Sequence, residues 1–126
     1  VLGSSLYKHK ISILGLAFKE GTNDVRHSLS IRLAKFLIEQ GAIVTGHDIL
    51  AAKEAAEMED KLIVSDNLND VLNQAEIIII LNSEKIYSQI DWSIISPKTY
   101  IIDTRGIVNI DELKKYSIEY DILGTK

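Results

Sequence analysis

The chain has 126 residues, 46% hydrophobic and 25% charged, a composition suited to one globular domain that buries roughly two-thirds of its unfolded surface. It contains no cysteine, which excludes a disulfide, a Cys-ligated zinc and a cysteine nucleophile among these residues. The formal net charge of −4 comes without any Lys/Arg-rich run, so no nucleic acid and no membrane surface is expected as partner, and a small ligand or a protein is favoured.

Residues 1–10 lead into a strand without an initiator Met and read as a lead-in from a missing preceding domain, with the domain proper over 11–126. Short β-rich apolar runs follow at 11–16, 42–46, 62–64, 77–81, 100–102 and 118–122. The clearest helix follows Ser28 as N-cap. It puts Leu29, Leu33, Phe36 and Leu37 on one face and Arg32, Lys35 and Glu39 outside it, and ends at Gly41. Further helices are predicted at about 51–58, 67–74 and 111–115, with a short turn or helix at 83–89.

Strands that read as continuous Ile, Val and Leu are covered on both faces, the habit of parallel sheets. The predicted fold class is therefore α/β: a three-layer α/β/α, Rossmann-like domain, doubly wound, with a mainly parallel sheet of five to six strands. The apolar run Ile77 to Leu81 falls far short of the roughly 20 residues that span a bilayer, and no signal-peptide core opens the chain. A cytoplasmic location is expected.

In an open parallel sheet the ligand crevice lies beyond the carboxyl ends of the strands, where strand order reverses. Lys19, Asp48, Asn82 and Arg105 each fall just after a predicted strand. Cations there, beside a helix start, suit a phosphate. Each also has a plainer role: Ser28 as a cap, Thr22, Asn23 and Asp24 as turn formers, Arg26 as a surface charge. Asp48 raises the alternative of a ribose-binding acid, but a dinucleotide fingerprint wants G-x-G-x-x-G, and here Gly15 is followed by Leu16, Ala17 and Phe18, whose side chains would obstruct a pyrophosphate. Asp48 reads better as a strand-end turn residue. His9, His27 and His47 are scattered without a carboxylate-rich companion motif, so no metal site is expected.

Gly15-Leu16-Ala17-Phe18-Lys19, followed by Thr22-Asn23-Asp24-Val25-Arg26-His27-Ser28, resembles the signature that opens the C-terminal, UDP-binding domain of the UDP-glucose/GDP-mannose dehydrogenase family. Gly41 to Val44 with His47-Asp48, the stretch from Asp66 to Ile80, Asp103-Thr104-Arg105, and Tyr120 to Gly124 resemble later segments of the same domain. The chain departs from the family pattern at Leu29, Ile49 and Gly106, where Pro, Pro and Asn are usual. The last change bears on how Arg105 is held.

The resemblance implies the substrate-binding part of an NAD-dependent nucleotide-sugar 6-dehydrogenase, which oxidises the sugar C6 alcohol to a carboxylate through a cysteine thiohemiacetal. By position it implies that Phe18 and Lys19 contact the nucleotide-sugar, Lys19 near the pyrophosphate. Arg105 would lie at the shared substrate and cofactor site, Asn82 in the nucleoside pocket, and Arg26 on the NAD side. No catalytic residue is implied within these residues, and NAD would be bound mainly by a missing N-terminal domain. The implied partners are the nucleotide-sugar and the missing N-terminal and central domains of the same chain, with the full-length protein a homo-oligomer and this fragment an inactive monomer. Two rivals stand beside this reading: a free-standing α/β nucleotide- or protein-binding module without a catalytic role, and a small NAD-binding domain using Asp48.

Overall fold

The computed structural model describes residues 8–16, 29–48, 51–73 and 75–123. Six strands, β1 (Lys10–Leu14), β2 (Ile43–His47), β3 (Ile63–Ser65), β4 (Ile77–Ile80), β5 (Tyr100–Asp103) and β6 (Glu119–Ile122), form one sheet in the order β3-β2-β1-β4-β5-β6. All five neighbouring pairs are parallel. Four helices, α1 (Leu29–Glu39), α2 (Ala52–Met58), α3 (Leu68–Leu72) and α4 (Ile110–Lys115), and two 3-10 turns, Lys85–Gln89 and Trp92–Ile94, complete the described elements. No described helix is long and apolar enough to cross a membrane.

Why the central strands read as unbroken apolar runs is visible in the two cores. Ile11, Ile13, Ile77 and Ile79 point to the face covered by Ile31, Ala34 and Leu37 of α1 and Ala55 of α2. Leu14, Ile78, Ile80 and Ile101 point to the other, against Val71 of α3, Tyr87, Trp92 and Leu113 of α4. Alternate side chains thus leave in opposite directions and both sets are buried, which gives the three layers.

Helix α1 differs from expectation in its rotation. It packs through Ser30, Ile31, Ala34 and Leu37. Leu29 and Phe36, expected on the buried face, are 63% and 55% exposed. The small side chains of Ser30 and Ala34 bring the helix close to the sheet, so the contact stripe is chosen by fit rather than by the largest apolar residues. The helix ends in a Schellman motif: Gly41 N–H donates to Ile38 O and Ala42 N–H to Leu37 O, with Gly41 at φ +96°. Helix α3 is shorter than predicted and starts from Asn67, whose side chain accepts the Asp70 N–H. The Ser28 cap lies outside the described residues.

Candidate functional site at the carboxyl ends of the strands

The register brings the strand ends into one row. Ser65 pairs with His47, His47 with Leu14, Leu14 with Ile80, Ile80 with Asp103 and Asp103 with Ile122. Strand order reverses between β1 and β4, so Gly15, Asn82 and Arg105 emerge at the point where an open sheet leaves a crevice. Backbone bonds continue past the row: Gly15 N–H to His47 O at 2.8 Å, Leu81 N–H to Leu14 O at 2.9 Å and Thr104 N–H to Ile80 O at 3.1 Å.

Gly15 has φ +100°, and a Cβ built on it would lie 2.6 Å from both Cγ and Nδ2 of Asn82. The space that a fingerprint glycine would leave for a pyrophosphate is filled here by the Asn82 carboxamide. Leu16, expected to obstruct the crevice, instead turns into the core. It is fully buried against Gly46, where an added Cβ would meet Leu16 Cδ2 at 2.9 Å. Asp48 is also occupied internally: its carboxylate accepts the N–H groups of Leu16 at 3.0 Å and Ala51 at 2.9 Å, the work of a strand-end turn residue. The described part of this first turn therefore does not fit a dinucleotide.

Asn82 is buried, with Oδ1 accepting the Glu84 N–H at 3.1 Å, while Nδ2 is buried with no hydrogen-bond partner among the described residues. A buried amide donor left unpaired is costly by about 1–3 kcal/mol, and such groups call for a reason. The carbonyl of the preceding residue, Leu81, accepts from Arg105 Nε–H at 3.2 Å. The guanidinium therefore reaches from the end of β5 across to the end of β4. Both side chains offer donors, a set that suits an oxygen-rich, anionic ligand.

The loop that carries Arg105 is wound around Asp103. The fully buried carboxylate accepts four consecutive N–H groups, those of Arg105 at 2.8 Å, Gly106 at 2.9 Å, Ile107 at 2.7 Å and Val108 at 2.9 Å. Gly106 sits at φ +71°, in the left-handed region that Gly adopts freely and Asn better than most residues. The Gly106 departure from the family pattern thus keeps the backbone conformation that an Asn there would also tolerate.

Beneath the row, His47 and Tyr87 form a buried pair that sequence reasoning missed. The Tyr87 hydroxyl lies 2.8 Å from His47 Nδ1 and 3.1 Å from His47 O, so it is shared between the imidazole and the backbone carbonyl of the same residue. Burial pushes the imidazole below its ordinary value against the pull of Asp48, and pushes the Tyr87 phenol up. The Tyr87 signal lay in a short 3-10 turn whose inward residue no periodicity identifies.

Of the residues expected at the site, Arg105 reaches the strand end that carries Asn82, bonding the carbonyl of the residue before it, Leu81. Phe18, Lys19 and Arg26 lie outside the described residues. A separate concavity of about 560 Å³, lined by Asn69, Leu72, Asn73, Ile95 and Thr99, lies at the amino ends of β4 and β5, away from the strand ends where such sheets bind ligands.

A family model described as UDP-glucose/GDP-mannose dehydrogenase family, UDP binding domain, matches residues 12–110. The UDP-glucose 6-dehydrogenase of Rickettsia conorii is 32% identical over 133 residues, a match spanning all of this chain and 30% of that protein. Among solved structures, the NDP-N-acetyl-D-galactosaminuronic acid dehydrogenase of Methanosarcina mazei Go1 superposes with a TM-score of 0.80 at 25% identity, over 99% of this chain and 26% of that one. The UDP-glucose dehydrogenase of Pyrobaculum islandicum does so with a TM-score of 0.72 at 27% identity, over 93% and 26%. The chain therefore spans about 30% of the length of the curated relatives it matches. It belongs to the UDP-glucose/GDP-mannose dehydrogenase family, as that family's UDP binding domain.

Proposed function

We propose that this chain binds the nucleotide diphosphate of a UDP-sugar for an NAD-dependent 6-dehydrogenase whose other parts supply the reacting groups. The observation that carries the reading is the donor pair at the switch point: the Arg105 guanidinium held on the carbonyl of Leu81, and the next residue, Asn82, with its Nδ2 buried and unpartnered among the described residues. A diphosphate is a multiply charged acceptor, and an arginine fork with an amide donor in a partly dry crevice suits it. Lys19 joins them as a point charge near the pyrophosphate, Phe18 contacts the nucleotide-sugar, and Arg26 faces the NAD side. The 126 residues contain no cysteine, so a thiohemiacetal would form on a thiol elsewhere in a longer protein. NAD is likewise bound elsewhere, since Asn82 fills the first turn and Asp48 is already engaged.

Calorimetric titration of the chain with UDP-glucose tests this. Arg105→Ala is expected to weaken binding about tenfold or more, the loss of a charge-assisted hydrogen bond. Equal affinity of wild type and Arg105→Ala would remove Arg105 from the site.

A further inference from the structure

We infer that Asp103 is a positioning residue for substrate recognition: its carboxylate sets where the Arg105 guanidinium lies. The inference rests on the reading that Arg105 contacts the diphosphate. Three observations converge on it. Asp103 is wholly buried at the end of β5, and its two oxygens divide four N–H groups evenly, Oδ1 taking Arg105 and Gly106, Oδ2 taking Ile107 and Val108. Thr104, between Asp103 and Arg105, pins the loop start to β4 through N–H and Oγ1 bonds to Ile80 O at 3.1 and 2.7 Å. The Arg105 side chain, by contrast, is exposed, and its Nε bond to Leu81 O is its only side-chain hydrogen bond to a described residue.

An exposed arginine held by one bond of 3.2 Å keeps its place only if its Cα is fixed. The fixing is done by a ring of backbone donors closed on one carboxylate, an arrangement that binds an anion strongly. Only a carboxylate of this length satisfies it. Asparagine offers one acceptor oxygen and turns an NH2 group toward two N–H donors, and glutamate carries its oxygens one methylene too far. Gly106 at φ +71° is the bend that lets four successive N–H groups converge. Affinity for the ligand therefore depends on a side chain that lies under the loop and not in the crevice.

The test is a double-mutant cycle on the full chain, with UDP-glucose as the probe, at two salt concentrations, with folding checked by amide dispersion. Arg105→Ala and Asp103→Asn are each expected to weaken binding about tenfold and to flatten its salt dependence alike, and the double variant to bind no worse than either single one. A role confined to stability would lower the melting temperature of Asp103→Asn and leave the affinity and salt slope of the folded fraction at wild-type values; that result, or additive losses in the double variant, overturns the proposal. Should Asp103→Asn fail to fold, Gly106→Val bends the same loop away without touching the carboxylate; weakened binding supports the proposal and wild-type binding overturns it. If Arg105→Ala alone leaves affinity unchanged, the reading of the site fails, and the positioning role falls with it. A loss in Arg105→Ala without one in Asp103→Asn rejects the positioning role alone.

Discussion

His47 shows how a single residue at the end of β2 carries both packing and charge. It is fully buried, its Nδ1 is hydrogen-bonded to the Tyr87 hydroxyl, and burial holds its pKa below the ordinary 6.5. The sign follows directly. Below about pH 6.5 the unfolded chain takes a proton on this imidazole that the folded chain refuses, so stability falls as pH drops, by at most about 1.4 kcal/mol per pH unit, until the folded pKa is passed. Urea midpoints of wild type should decline between pH 7 and 5, and His47→Asn should be less stable at pH 7 but show a flatter decline. Parallel curves for the two proteins would show that His47 is not the titrating group. The acid limb belongs to other residues. Glu76, bonded to His9 and to the Lys10 N–H, is held below 4.5, so its share is lost only as pH falls beneath that value.

At the scale of elements, the two Schellman ends of α1 and α4 make a natural comparison. In α4, Ile118 N–H donates to Leu113 O at 2.9 Å and Ser117 N–H to Lys114 O at 3.2 Å, the same pair of bonds that closes α1. The left-handed position is glycine in α1, Gly41, but serine in α4, where Ser117 holds φ +60°. A Cβ in that conformation costs about 1 kcal/mol. Ser117→Gly should therefore raise stability by about 0.5–1 kcal/mol, read as a higher urea midpoint at unchanged slope. A lower midpoint would mean that the Ser117 side chain stabilises the turn by more than its strain. Helix α1 makes the complementary point about faces. The sequence named Leu29, Leu33, Phe36 and Leu37 as its apolar face, but the stripe that docks is Ser30, Ile31, Ala34 and Leu37, and Leu29 and Phe36 are left outside. Residue size along a helix identifies amphipathicity, whereas the packing angle against the sheet selects the face.

For the whole molecule, the family assignment and the absence of cysteine carry one further expectation. The chain by itself should bind UDP-glucose and oxidise none of it when NAD is added, followed by the absorbance of reduced nicotinamide. Turnover would contradict the division of labour argued from Asn82, Asp48 and the missing thiol. The sequence by itself determined a mainly parallel sheet of five to six strands, the doubly wound class and the family, because these follow from local quantities: apolar runs that repeat along the chain, glycine stops, and a contiguous motif. It also placed Asn82 and Arg105 after strands. Only the tertiary structure decided that Asn82 rests on Gly15, that Leu16 turns inward onto Gly46, that Tyr87 closes over His47, and that Asp103 gathers the Arg105 loop. The contacts of Gly15, Leu16 and His47 join residues far apart in the chain through strand register and the turns that follow it, and a through-space contact of that kind has no period or spacing by which to be read in advance. The Asp103 loop is local, yet its function depends on reaching Leu81 at the end of the neighbouring strand, which again the register alone arranges.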